Sequence, residues 1–244
     1  MARLAIMQPY LFPYMGYWQL MKAVDRFVIY DDVNYIKGGW INRNRILVNG
    51  EPAYFTIPLD QASPYDAITA VHMQTGYRLR EKLKKSLTLT YARSPYFDEV
   101  WPTLARIINY DTDNLADFLV HQLVELARNL EITTEFQRSS VTTPKQALAG
   151  QARVIEICKL NGATHYINAS GGRELYDGTT FRENGLDLRF LSCLMAPYPQ
   201  RAQAFVPHLS IVDTLMALGF EGCAGQLDAY ELLAPLPASI RHAA

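Results

Sequence analysis

Two short apolar runs, residues 3–7 (RLAIM) and 26–30 (RFVIY), bracket one proline-broken turn and one helical stretch, and this spacing most limits what the chain can fold into. Pro9 and Pro13 fix φ and remove backbone donors, so neither a strand nor a helix can run through residues 8–14. After Gly16, the residues Tyr17, Trp18, Leu20, Met21 and Val24 recur at helical spacing. Strand, turn, helix and strand within about thirty residues is the length of a βαβ unit. The first run has no local partner, which predicts a central buried strand. Ligands collect beyond the carboxyl ends of such strands, and Gln8 and the pair Asp31-Asp32 both fall there.

The rest of the chain continues the alternation. Arg45–Val48 and Ala53–Ile57, joined by Asn49-Gly50, predict a hairpin on a type I′ turn. An apolar patch at Ala67–Met73 suggests another strand, and Leu79–Thr90 a basic helix that Ser94-Pro95 breaks. Pro102 marks a further turn. A long amphipathic helix follows over Asp113–Leu130, capped near Asp111–Asn114. Ile132–Phe136, β-branched, predicts the third parallel strand. Pro144 opens a helix to Asn161 that Gly162 caps, Thr164–Ile167 predicts the fourth strand and Leu186–Leu191 the fifth. Glu174–Asn184 between them is a helix or turn. Ser210 caps a last helix that ends at Gly219, and residues beyond about 234 are expected to be loose. The resulting expectation is an α/β fold with a doubly wound, mostly parallel five-stranded sheet. It forms one domain over residues 1–234, with a hairpin and helical insertion at 33–108 and a tail at 235–244.

Composition removes several function classes. With 49% hydrophobic and 19% charged residues over 244 positions, the chain can bury a sizeable core. A net charge of −1 argues against wholesale nucleic-acid or membrane binding. No apolar run approaches the roughly 20 residues of a membrane span. Cys158, Cys193 and Cys223 have neither metal nor disulfide spacing and suit buried thiols of a reducing compartment. With no signal-peptide pattern, the expected location is the cytoplasm.

Three polar clusters are expected to converge on one edge of the sheet. The first runs from Gln8 through Tyr10 and Tyr14 to Gly16 and Tyr17, the second is Arg138-Ser139-Ser140, and the third is Asn168 to Ser170-Gly171-Gly172. In the third, glycines let backbone N–H groups face an anion and the serine adds a donor, although a plain turn would look the same. Asp31 and Asp32 are candidates for general base, amine binding or metal binding, with simple solvation the competing reading. Arg43, between Asn42 and Asn44, is the best candidate for clamping an anion, because its planar fork suits carboxylate or phosphate. Lys37, Trp40, Tyr176 and Gln200 complete the candidate substrate-binding set. No Ser/His/Asp or Cys/His set can be assembled, and no metal ligand set is expected.

QPYLFPYMGYWQLM, DRFVIYDDVNYIKGGWINRNRIL, ASGGRELYD and FVPHLSIVDTLMALG closely resemble the WbqC-like proteins over about residues 4–222. The resemblance implies a cytoplasmic bacterial protein associated with surface polysaccharide synthesis, such as the O-antigen of lipopolysaccharide. It also implies transfer of an amino-acid unit, glycyl in some members, to an amino sugar. A more distant similarity links the opening strand, PYLFPYMGY turn, helix and strand to nucleotidyltransferase/HUP-like α/β folds. Their first loop carries a His-x-Gly-His signature, which here would be Tyr14, Gly16 and Tyr17. Tyrosine brings no imidazolium charge, so the departure bears on nucleotidyl transfer.

Three expectations follow. The first is acyl or aminoacyl transfer to a nucleotide-linked amino sugar, with Asp31 or Asp32 accepting the amine proton and Arg43 and Ser170–Gly172 holding anions. The second is nucleotide-dependent activation, with a nucleotide as cofactor or substrate. The third is a non-catalytic binding protein of a polysaccharide assembly. The partner in the first two is a small molecule, and oligomeric state is not legible from sequence.

Overall fold

The computed structural model describes residues 2–74, 77–143 and 147–237. The opening unit is β1 (Arg3–Met7), α1 (Met15–Lys22) and β2 (Arg26–Ile29), with β1 and β2 parallel and Met7 opposite Ile29. The hairpin β3 (Arg43–Val48) and β4 (Glu51–Thr56) follows, then the small pair β5 (Leu59–Asp60) and β6 (His72–Met73). Three helices come next, α2 (Tyr77–Tyr91), α3 (Phe97–Ile108) and α4 (Leu115–Asn129). Then β7 (Glu135–Arg138), α5 (Ser139–Thr142), α6 (Gly150–Leu160), β8 (His165–Ala169), α7 (Gly178–Glu183), β9 (Asp187–Cys193), α8 (Ile211–Ala224) and β10 (Tyr230–Leu233) complete the order.

One mixed sheet of six strands runs β10-β9-β8-β1-β2-β7 and is parallel throughout except for β10 against β9. The chain adds β2 and β7 on one side of β1, then crosses to β8 and β9 on the other. Alternate residues of each strand therefore feed two cores. Leu4 and Ile6 pack with Val154 and Ile157 of α6 and Phe181 of α7, whereas Ala5 belongs to the core of Trp18, Leu20, Leu119 and Leu123. Ile46 and Phe55 attach the β3–β4 hairpin to that second core. Its turn is type I′ as the sequence requires, with Asn49 at φ 52° and Gly50 at φ 84°.

Several expectations need correction. The sheet has six strands, because Tyr230–Leu233 pairs as an edge strand with Tyr230 opposite Cys193. Four residues on an edge carry too little pattern to announce themselves. The third strand is Glu135–Arg138, later than Ile132–Phe136. Ile132 instead closes α4: its N–H reaches Ala127 O at 2.9 Å while Glu131, at φ 56°, bonds Arg128 O, a Schellman stop made without glycine. Pro102 sits inside α3. It faces solvent, where the carbonyl it leaves without a donor can bond water, while Val100, Leu104 and Ile107 bury the opposite face. Gly219 ends the first helical part of α8 as expected, at φ 71° and ψ −178°; what the sequence did not announce is a second helical part that follows at once and runs to Ala224. Within Ala67–Met73 there is a 3-10 turn, Ile68–Ala70, and the two residues of β6. The helix expected from Pro144 is described from Gly150; Pro144 itself and residues 238–244 lie outside the described residues.

Candidate functional site

The parallel arrangement puts the ends of β1, β2, β7 and β8 on one edge, and each is followed by one of the polar segments singled out above. After β1, residues 8–14 are held from three directions. Gln122 of α4, fully buried, accepts from Phe12 N–H at 3.1 Å and donates to Tyr10 O at 2.6 Å. Asn44 Nδ2 donates to both Leu11 O and Phe12 O at 2.9 Å, and Ser210 Oγ donates to Phe12 O at 2.8 Å. Phe12 has φ 41°, a conformation that a bulky residue keeps only when its surroundings over-determine it. Tyr17 Oη bonds Gln8 O at 3.0 Å, its ring meets Tyr10 edge-on at 5.1 Å, and burial pushes both phenols well up. Gly16 is required because a Cβ there would lie 2.5 Å from the Tyr14 ring, which in turn meets His208 edge-on at 5.3 Å.

The two carboxylates after β2 differ sharply. Asp31 is 0% exposed and fully engaged. Arg138 Nε donates to its Oδ2 at 2.6 Å, Ser140 Oγ to the same oxygen at 2.9 Å and Ser140 N–H to Oδ1 at 3.0 Å. Asp32 is partly exposed; it accepts from Ser139 Oγ at 2.6 Å and from Arg153 Nη2 at 2.7 Å. Arg138 also reaches Asp117 Oδ1 at 2.6 Å. Asp31 therefore orders the edge, joining β2, β7, α5 and the start of α4, while the Asp32 side chain, 10% exposed, is the less buried of the two.

On the other side of β1, Asn168 and Ala169 end β8 and the 3-10 turn Ser170–Leu175 begins at once. Gly171 is open, since a Cβ there meets nothing within 4 Å. Gly172 is packed: its Cβ would lie 2.9 Å from Asn168 Nδ2 and 3.7 Å from the Tyr176 ring. Arg153, from α6, covers the Tyr30 ring at 5.7 Å. Burial pushes the Tyr30 phenol up and the Arg153 guanidinium partly offsets it. The edge at the ends of β1 and β8 thus carries amide, phenol and glycine groups, with the Asp32–Arg153 pair at the neighbouring end of β2. Among the described residues no group of three or more His, Cys, Asp or Glu is placed to hold a metal ion, and no helix is long and apolar enough to cross a membrane.

The remaining candidates sit elsewhere. Asn42 accepts from Tyr35 Oη at 2.9 Å and donates to Ile57 O at 2.8 Å, within the hairpin base. Arg43 donates to the carbonyls of Gly38 and Gly39 and stacks over Tyr54 at 4.5 Å, so it closes its own loop. Lys37 and Trp40 are exposed on that loop. Gln200 bonds both the N–H and the carbonyl of Val206 and lies 3.4 Å from Asp213 Oδ2. Sequence reasoning missed Tyr30, Asp117, Gln122 and Arg153. Arg153 left a usable signal, since it shares a helix face with the buried Ile157 four residues on. Asp117 and Gln122 left none, because their roles depend on loops more than a hundred residues earlier in one case and twenty later in the other.

No solved structure matches the chain. An uncharacterised protein of Mycobacterium tuberculosis, Rv1507c, is similar to it at 26% identity over 223 residues, which is 91% of this chain and 96% of that one. The pattern of the WbqC-like protein family matches residues 8–224, so it spans the polar segments at the strand ends, the acidic network and the hairpin. The chain belongs to the WbqC-like protein family.

Proposed function

We propose that the protein is an enzyme transferring an acyl or aminoacyl group to the amine of a nucleotide-linked sugar, bound in the crevice between the ends of β1 and β8. One observation carries the reading. Strand order reverses direction of growth at β1, and the crevice at such a switch point is where open α/β sheets bind ligands. Gln8 and Tyr10 on one side and Ser170–Gly172 on the other, none of them fully buried, offer donors and acceptors to sugar and phosphate oxygens. In the reaction the sugar amine forms a C–N bond to the acyl carbon, and the donor's leaving group departs with its electron pair. Asp32 takes the amine proton, being the partly exposed member of its pair, while Asp31 holds the edge in place. The resemblance to proteins of surface polysaccharide synthesis supports an amino sugar as acceptor and a cytoplasmic location. Incubation with nucleotide-linked amino sugars and activated acyl donors should give a product heavier by the acyl group. An unchanged rate in Asp32→Asn and Gly171→Ala variants would overturn the assignment.

The same strand order favours a second reading, nucleotide-dependent activation on a nucleotidyltransferase/HUP-like fold. Tyr14 and Tyr17 stand where that class carries histidines, and Tyr17 Oη already bonds Gln8 O. Pyrophosphate release with ATP or CTP in the absence of an acyl donor would favour this reading over the first.

A further inference from the structure

A separate cavity of about 1020 Å³ lies away from the strand ends, bounded by β4, residues 80–86 of α2 and the turn between α3 and α4. Its size suits a ligand larger than a simple metabolite. The floor is apolar, made by Ile57, Met73, Ile108 and Phe118, with Leu83 on the helical wall. The charges around it are unequal in their pairing. Each lining carboxylate has a partner: Glu81 with Lys84 at 2.5 Å, Asp111 with Arg80 at 3.7 Å and Asp113 with His72 at 3.3 Å. Lys82 lines the cavity and has no carboxylate within ion-pair distance among the described residues.

Tyr54 lines the same cavity and continues it onto the outer face of the hairpin. There Trp40 and Tyr54, 45% and 55% exposed, stand with ring centroids 5.9 Å apart. Arg45, directly opposite Tyr54 in the hairpin register, lies 5.6 Å over the Trp40 ring. Its buried Nε has no hydrogen-bond partner among the described residues, and no carboxylate pairs with it. Arg43 covers one face of Tyr54 at 4.5 Å, and the remaining exposed aromatic surface beside the unpaired Arg45 guanidinium suits a flat ring that carries negative charge. The apolar floor next to them suits a less polar arm on the same molecule.

We propose that this platform and groove bind the acyl donor as a nucleotide thioester of the coenzyme A class, an inference that rests on the acyl-transfer reading for its role. The base stacks on Trp40 and Tyr54, the phosphates lie toward Arg45 and Lys82, and the acyl-bearing arm runs over the apolar floor. Titration calorimetry of the full chain with coenzyme A and with AMP tests this, alongside the nucleotide-linked amino sugar as a probe of the crevice. Tyr54→Ala and Lys82→Glu change exposed side chains, and matching thermal unfolding would show that both variants fold. Coenzyme A should bind the wild type, and each variant should weaken it about tenfold while leaving nucleotide-sugar affinity unchanged. No binding of coenzyme A at millimolar concentration, or equal binding by wild type and both variants, would overturn the proposal. Coenzyme A binding that responds to both variants, with no nucleotide-sugar binding to the wild type, would remove the acceptor crevice and uphold the groove.

Discussion

Arg138 Nε lies 2.6 Å from Oδ2 of the fully buried Asp31, and the same guanidinium reaches Asp117 Oδ1 at 2.6 Å. One side chain thus ties the end of β2, the end of β7 and the first turn of α4. Removing one member of a buried pair leaves an uncompensated charge, which costs about 3–5 kcal/mol. Arg138→Gln should lower the unfolding free energy by that order in urea titration. Adding Asp31→Asn to it should recover part of the loss, since the buried negative charge is then gone. A loss below about 1 kcal/mol would mean that the serine hydrogen bonds alone hold Asp31.

Asn44 fixes the proline-rich loop by donating to Leu11 O and Phe12 O from one amide nitrogen. Asn44→Ala takes the side-chain donor from Leu11 O, leaves Phe12 O with Ser210 Oγ alone, and weakens the hold on Phe12 at φ 41°. The expected cost is about 2–3 kcal/mol by chemical denaturation. Nucleotide-sugar affinity, measured on the folded variant, should fall with it because Gln8 and Tyr10 lie on the loop.

Gly171 and Gly172 separate ligand contact from packing. A methyl at Gly171 meets nothing within 4 Å, so Gly171→Ala should melt with the wild type yet bind the nucleotide sugar more weakly if backbone N–H groups there face its phosphates. Gly172→Ala places a methyl 2.9 Å from Asn168 Nδ2 and should lower the melting temperature by several degrees, about 1 kcal/mol or more. Equal melting temperatures for the two variants would contradict the placement of Asn168.

Asp213 gives stability a definite pH dependence. It accepts from Tyr91 Oη and Tyr198 Oη, each at 2.8 Å, with no cation paired to it among the described residues, and burial raises its carboxyl above the ordinary range while these hydrogen bonds partly offset the rise. Between the unfolded value of about 3.9 and the higher folded one, the folded chain holds the proton more tightly. The stabilisation is complete below the unfolded value and is lost as pH rises through the folded one. The stability of the wild type minus that of Asp213→Asn should therefore fall as pH rises from below the unfolded value of about 3.9 through the raised folded one, read from urea titrations at each pH. A difference that grows across that window would reverse the sign assigned to Asp213.

The sequence by itself determined the parts governed by local rules. RLAIM and RFVIY around Pro9 and Pro13 can hardly be anything but a βαβ opening, Asn49-Gly50 dictates a type I′ hairpin, and Gly162 and Gly185 stop their helices by Schellman bonds. The positions of the polar clusters followed from strand ends, because side-chain period and strand direction are local properties. The tertiary structure decided what those clusters do. Arg43 looks like an anion clamp in sequence and bonds Gly38 and Gly39, while Asp31 and Asp32, adjacent in the chain, pair with different arginines, Arg138 and Arg153. Arg153 and Gln122 reach the edge from helices that sequence alone could not orient. A side chain's role depends on which partner comes within about 3 Å of it, and partners 107 to 121 residues apart, such as Arg138 and Asp31 or Arg153 and Asp32, are chosen only when the sheet is assembled.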